Sequence, residues 1–156
     1  MKVSKVSIIT VCYNASDVIS KCLDSVEEQV ADDFTVEHIV IDGGSNDGTV
    51  GIVKGHNSPD HFTTENDDGL YDAMNKGVAI ATGDIVAFLN SDDVYSNPKV
   101  ISDVVAEFRS TNSHAVFGDL VVFDPKNNDN IVRKWKAGPK GNFKHGNLDG
   151  LWSWYH

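Results

Sequence analysis

Cysteine is scarce in this chain: Cys12 and Cys22 are the only two in 156 residues, and both are embedded in apolar segments. That speaks against a disulfide framework and fits a reducing compartment, the cytoplasm. No apolar run approaches the roughly 20 residues that a membrane span requires. The opening Met1-Lys2-Val3-Ser4-Lys5 leads straight into the strand-like Val6–Val11, with no signal-peptide cleavage pattern. Positive charge is short as well. Lys and Arg number 13 against 23 Asp and Glu, a net charge of −10, which argues against nonspecific binding to nucleic acid. The same excess makes bare phosphate binding unfavourable unless a cation is recruited. Also missing is Gly-x-Gly-x-x-Gly after the first strand, where Cys12–Ser16 holds no glycine, and there is no P-loop. A dehydrogenase or epimerase is therefore the weakest of the enzyme readings. There is no internal repeat and no low-complexity tract.

What is present is a globular composition, 40% hydrophobic, in a length suited to one domain, residues 1–156, with a real core. Strand and helix patterns alternate. Val6–Val11 reads as a strand, and Val18, Ile19, Cys22, Leu23 and Val26 follow at helical spacing with Ser16 or Asp17 as the cap. Val36–Asp42 reads as the second strand, and Gly43–Thr49 is a strong turn leading into a short helix through Ile52-Val53 that Asp47 caps. A weak strand lies near His61–Glu65. Leu70, Ala73, Met74, Gly77, Val78 and Ala81 form a second helical stripe, with Gly83 as its cap, and Asp84–Asn90 reads as a buried strand. Val100, Ile101, Val104, Val105 and Phe108 line a helix opened by Pro98. Such alternation implies a mainly parallel, doubly wound α/β sheet with helices on both faces. After Ser110, His114–Phe123 and Ile131–Trp135 read as strands, Ala137–Asn142 as a loop, and Trp152, Trp154 and Tyr155 as an aromatic cluster.

Four polar segments punctuate the strand ends: Tyr13-Asn14, Asp42-Gly43-Gly44, Glu65–Gly69 and Ser91-Asp92-Asp93. In a doubly wound sheet they converge on one edge as a cleft. Adjacent carboxylates after a buried strand repel unless a cation or hydrogen bonds compensate, and a hard divalent metal carrying a phosphorylated substrate would do so. A solvated Asp-rich turn is the plainer reading of the pair alone. Asp42 is in position to accept a hydrogen bond from a base or hydroxyl; glycines 43 and 44 leave room for a ligand or supply positive φ. Asp67 and Asp68 precede a helix N-terminus, where carboxylates are favoured. Asp72 and Lys76 are spaced for an i,i+4 pair. Asn75 and Gly77 are poor helix formers, and close packing of the helix beneath the cleft is one explanation.

The ordered motifs Ile8–Asn14, Val40–Thr49, Glu65–Gly77, Thr82-Gly83-Asp84 and Phe88–Asp93 resemble those of family 2 glycosyltransferases, and the last two blocks are similar to the branch that builds capsule, exopolysaccharide and colanic-acid-type polymers. The resemblance spans roughly residues 5–124 and implies a GT-A fold that uses a nucleotide-diphosphate sugar. In that pattern Thr10, Tyr13 and Asn14 match the first nucleotide-contacting segment, Asp42 the carboxylate on the base (commonly uracil), and Asp92 the position near the ribose. Asp67, Asp72 and Asn75 complete the nucleotide-sugar-binding set. Asp93 matches the ligand of a Mg²⁺ or Mn²⁺ ion that bridges to the diphosphate. Met74 stands where many relatives carry an arginine that helps the diphosphate. The family's general base lies in an acceptor-binding half beyond His156, and Asp149 is the sole late carboxylate and a weak candidate for it. The chain thus resembles the donor-binding portion of an inverting transferase, truncated before the acceptor half. Its acceptor would be a glycan or a lipid-linked glycan, and its place the inner face of the membrane. The exposed aromatics Trp152, Trp154 and Tyr155 leave open either peripheral membrane association or packing in a longer protein. The alternative is a nucleotide-sugar-binding module without useful turnover.

Overall fold

Alternate residues of two strands sort the core. In β1 (Lys5–Cys12) and β2 (Thr35–Asp42), Ile9, Val11, Ile39 and Ile41 point to one side, where they meet Ala73, Met74 and Ala81. Cys12 and Val40 point to the other side, against Ala15, Ile19, Leu23 and Val53. The period of two puts hydrophobic side chains on both faces, so helices must cover both. The first face receives α3 (Leu70–Ile80); the second receives α1 (Ile19–Glu27) and α2 (Thr49–Gly55). Two further elements, β3 (His61–Thr64) and β4 (Ile85–Asn90), complete a four-stranded parallel sheet of order β3-β2-β1-β4, and α4 (Val100–Thr111) follows. This is an α/β fold with a parallel central sheet and helices around it. The computed structural model describes residues 2–111, 113–124 and 127–136, which divide into one unit ending at His114 and another beginning at Ala115. In the second unit β5 (Leu120–Asp124) and β6 (Asn127–Trp135) pair as an antiparallel hairpin with an irregular register around Phe123. Among the described residues no helix is long and apolar enough to cross a membrane. Asp149, the loop at 137–142 and the aromatic cluster at 152–155 lie outside the described residues.

The chain walks outward from β1 through β2 to β3, then returns to the far side of β1 as β4. A sheet whose order reverses this way opens a crevice at the carboxyl ends of the strands flanking the reversal, here β1 and β4. Two of the four polar segments, Tyr13-Asn14 and Ser91-Asp92-Asp93, follow β1 and β4, and the other two follow the neighbouring carboxyl ends of β2 and β3.

Gly77 shows why α3 carries a poor helix former. A Cβ there would lie 2.5 Å from the Ile9 side chain, so the helix seats directly on β1. Gly77→Ala is expected to lower stability by about 1–2 kcal/mol net, because overpacking outweighs the improved helix propensity. Urea unfolding checks this; an alanine variant as stable as the parent would show that α3 has room to shift.

The Thr82-Gly83-Asp84 motif is a clasp at the opposite end of the sheet from the crevice. Buried Glu37 accepts hydrogen bonds from the Ser7 hydroxyl (2.5 Å), the Thr82 hydroxyl (2.6 Å) and the Thr82 N–H (2.9 Å). Burial alone would raise its pKa, but these donors and Lys5 bring it down to about 2. Asp84 accepts from Ser4 N–H, the Ser4 hydroxyl and Lys5 N–H at 2.7–3.2 Å. Gly83 is not the cap of α3, which ends at Ile80 with Ala81 in extended conformation. It is required because a Cβ would meet the Ser7 nitrogen at 2.5 Å. Gly83→Ala therefore cannot be accommodated by a side-chain rotation, and a marked drop in melting temperature is expected; an unchanged melting curve would contradict the clasp. Nor is α1 capped by Ser16 or Asp17. Ser16 instead donates its N–H to Asp47, which ties the start of this helix to the loop after β2.

Candidate functional site

At the crevice the loop after β1 is knitted to the loop after β2. Asn14 adopts a left-handed backbone (φ 49°), and its side chain accepts the Asn46 N–H at 3.0 Å while its own N–H goes to the Ser45 hydroxyl at 2.8 Å. Ala15 N–H reaches the Thr49 hydroxyl. Asp47 collects Ser16 N–H, Thr49 N–H and the Thr49 hydroxyl, so it serves the starts of both α1 and α2. This mutual bracing leaves Tyr13 at the crest, 64% exposed. Thr10 sits beneath the edge: its hydroxyl is fully buried and bonded to His38 Nε2 at 2.9 Å. Thr10 therefore presents no exposed surface to a ligand.

Asp42 is turned inward. It is completely buried, and Oδ2 accepts from Gly44 N–H (3.1 Å), Ser45 N–H (2.9 Å) and the Thr64 hydroxyl (2.7 Å). Its Oδ1 takes the Ser45 hydroxyl and the Cys12 thiol. Burial opposes its charge, yet the Ser45 and Thr64 donors hold the carboxyl below its ordinary value. The space expected beside Gly43 and Gly44 is filled by the loop after β3, since a Cβ on Gly43 would touch Asp67 and one on Gly44 would touch Asn66. Gly44, at φ +85°, also meets the expected positive φ.

That loop is itself fastened. Lys76 Nζ lies 2.9 Å from Glu65, 3.1 Å from Asp72 and 3.3 Å from the Asn66 carbonyl. Asp67 accepts the Gly69 N–H at 2.9 Å, Asp72 the Asp68 N–H at 3.2 Å, and Asn75 is exposed on the outer face of α3. Asp72 is thus spent on loop order as much as on any ligand.

After β4 the chain turns at once. Asp93 N–H bonds the Asn90 carbonyl at 3.0 Å, and the Asn90 side chain donates to Asp93 Oδ2 at 3.2 Å. Asp92 is exposed and Asp93 half-buried. Burial first, and the neighbouring Asp92 charge second, push the Asp93 carboxyl above its usual value despite the Asn90 donor. Two carboxylates with so few donors suit a hard divalent cation whose remaining ligands come from a bound molecule.

Among the described residues one trio of potential ligands clusters, Asp24, Glu27 and His56, and it lies on α1 and beyond the end of α2, away from the crevice. Its imidazole is set for hydrogen bonding. Ser58 donates its N–H to His56 Nδ1 at 3.1 Å, so the neutral ring carries its proton on Nε2 and gives it to Asp24 at 2.9 Å. No lone pair remains at Nε2 for a metal.

The expected Asp72–Lys76 pair forms, whereas sequence reading missed Ser45, Thr64 and Asn90, whose work is to hold the carboxylates. Asn90 had a local signal, its i,i+3 spacing from Asp93. Thr64 had none, being 22 positions from Asp42.

The profile of "Glycosyl transferase family 2" matches residues 7–154. An uncharacterized glycosyltransferase of Mycobacterium tuberculosis is 42% identical over 101 residues, covering 64% of this chain and 38% of the relative. The fold is similar to S. aureus TarS 1-349 in complex with UDP-GlcNAc (28% identity, TM-score 0.64, 70% of this chain and 32% of that one). It is also similar to the mannosyltransferase PcManGT of Pyrobaculum calidifontis, solved with GDP-Man and Mn²⁺ (24% identity, TM-score 0.61, 81% of this chain and 37% of that one), which speaks to fold alone. The chain spans less than half the length of each.

Proposed function

We propose that this chain, which belongs to glycosyl transferase family 2, binds a nucleotide-diphosphate sugar in the crevice at the carboxyl ends of β1 and β4, as the donor-binding portion of a transferase. UDP-sugar is the favoured donor, in keeping with the TarS complex with UDP-GlcNAc. The observation that carries the reading is the Asp92–Asp93 pair at the point of strand-order reversal, with Asp93 destabilised as a carboxylate by burial and by its neighbour. Such a site is incomplete without a cation, and Mg²⁺ or Mn²⁺ would be held by Asp93. When bound, the ion would neutralise the diphosphate and stabilise it as a leaving group.

The protein's own residues have separate tasks. Asn90 holds the Asp93 carboxylate in place from its side-chain amide. Tyr13, exposed on a braced turn, offers an aromatic face to the nucleotide, and Asn14 keeps that turn rigid. Asp92, exposed beside Asp93, can accept a hydrogen bond from a ribose hydroxyl. Met74 contributes no charge, which throws neutralisation of the diphosphate onto the cation. The transfer would invert configuration: a base removes the acceptor hydroxyl proton while the nucleotide departs on the opposite side. No described carboxylate is assigned that role, and the acceptor in this reading is a glycan or lipid-linked glycan of polysaccharide assembly. A contact with the inner membrane face belongs to the same reading.

The test is calorimetric titration of this chain with UDP in Mn²⁺ or Mg²⁺ and again in chelator, alongside release of UDP from UDP-sugars. Tight binding with the cation and weak binding without it is expected. Equal affinity in both conditions would sink the cation assignment, and no UDP binding in either would sink the donor site.

A further inference from the structure

A carboxylate that reads a nucleobase needs an unoccupied lone pair, a fixed position and access from the crevice. Asp42 meets only the second. Five donors converge on its two oxygens and it has no exposed surface, while an ionised carboxylate offers about four lone-pair sites. It can accept nothing more from a ligand.

Asp67 meets all three. Its Oδ1 is anchored by the Gly69 N–H at 2.9 Å. Its Oδ2 lies 2.6 Å from where a Cβ on Gly43 would stand, and among the described residues no hydrogen-bond donor is assigned to that oxygen. The side chain is partly exposed. Gly43, with no side chain of its own, is what allows the carboxylate to settle against the end of β2. The loop that carries it is held from below by Lys76 through Glu65, Asp72 and the Asn66 carbonyl, and from its start by Glu65 N–H on the Asp42 carbonyl at 3.0 Å. Ordering of this kind precedes the ligand and so costs nothing when it binds.

We infer that Asp67, and not Asp42, is the residue that reads the base of the donor nucleotide. The inference rests on the donor-site reading above. An ionised carboxylate only accepts, so it selects a base whose facing edge carries a ring N–H. Uracil presents one at N3 and guanine at N1, whereas cytosine presents a lone pair at N3 that the carboxylate repels. Asp42 then has a different task. It closes the turn of Gly43–Ser45 and ties it to Thr64, which sets the distance between the two loops.

The experiment compares UDP, CDP and N3-methyl-UDP by calorimetric titration in Mg²⁺, for the parent chain and for Asp67→Asn, Asp67→Ala and Asp42→Asn. The parent should bind UDP about tenfold or more tightly than either other nucleotide, the worth of one acceptor that the bound base covers while facing it with the wrong group. Both Asp67 variants should bind the three nucleotides within about twofold, with circular dichroism and melting near those of the parent. Asp42→Asn should melt earlier but keep the preference. A folded Asp67→Asn that still prefers UDP by the parent's margin would overturn the assignment. So would a folded Asp42→Asn that loses the preference, or a parent that binds UDP and CDP equally. A parent that binds no nucleotide removes the donor site itself, a distinct outcome that fells the inference with it.

Discussion

Asp93→Ala is expected to weaken UDP binding in Mg²⁺ or Mn²⁺ by about 100-fold and to leave the remainder indifferent to chelator. Even residues behind a metal ligand are typically worth about 10–100-fold in metal affinity, so removal of the ligand itself belongs at the upper end or beyond. The site makes the effect specific. Asp93 is half-buried next to the exposed Asp92, and among the described residues its side-chain donor is Asn90, so Asp93 is the carboxylate held in a fixed position. Asp92→Ala is expected to behave differently, weakening nucleotide affinity while the dependence on the cation persists, because Asp92 is exposed and makes no contact that holds Asp93. The check is titration of each variant with UDP at fixed cation concentration and in chelator. An Asp93 variant that still responds to chelator as the parent does would remove Asp93 from the cation.

Stability between pH 7 and pH 4 is expected to fall by about 3 kcal/mol through His38 alone, of which about 2 kcal/mol is gone by pH 5. The ring is 1% exposed and sits between the Ser58 hydroxyl at 2.6 Å and the Thr10 hydroxyl at 2.9 Å. Burial brings its pKa down from 6.5 to about 4; Asp60, which accepts the His38 backbone N–H, works against this, and His56 works with it. Above pH 6.5 the ring is neutral in both folded and unfolded chains, and the contribution is flat. Below 6.5 the unfolded chain takes up a proton that the folded one refuses, so stability drops until the folded ring titrates near 4. Glu37, whose pKa is lowered from 4.5 to about 2, adds a loss of the same sign as the pH approaches 4, so the interval from pH 7 to pH 5 is the one that isolates His38. Urea unfolding at pH 7, 6 and 5 measures the slope. His38→Gln should lower stability at pH 7 yet flatten the fall between pH 7 and 5, and an unchanged slope would show that the proton is taken up elsewhere.

The His38 and Asp42 sites show how far a chain can be read before it is folded. The strand periodicity that put Ile9 and Ile41 in the core is a property of adjacent residues, and β1, β2 and β4 came out within a residue of expectation. The β6 strand begins at Asn127, four residues before the expected Ile131, because its polar first residues carry no hydrophobic alternation. Asp47 was expected to cap α2, but the N-cap is Gly48 in a left-handed conformation; Asp47 instead holds Thr49 from one position outside the cap and reaches Ser16, 31 positions away. Thr10 was expected to contact the nucleotide from the family resemblance alone. Its hydroxyl faces His38 instead, 28 positions along the chain.

The sequence by itself determined that strands and helices alternate, that the sheet is parallel with helices on both faces, and that four polar loops follow the strand ends. Each of those rests on spacing and turn chemistry within a dozen residues. Close packing was one explanation for the poor helix formers Asn75 and Gly77; it holds for Gly77 against Ile9 and not for the exposed Asn75. Only the tertiary structure decided which way the carboxylates turn. Asp42 is consumed by Ser45 and Thr64, Asp67 is pressed against Gly43, and Thr82-Gly83-Asp84 clasps Glu37, Ser7 and Ser4 far from the crevice. A contact depends on a direction and on a partner, and for these residues, Ser45 apart, the partner is 20 to 80 positions away, where no local pattern reaches.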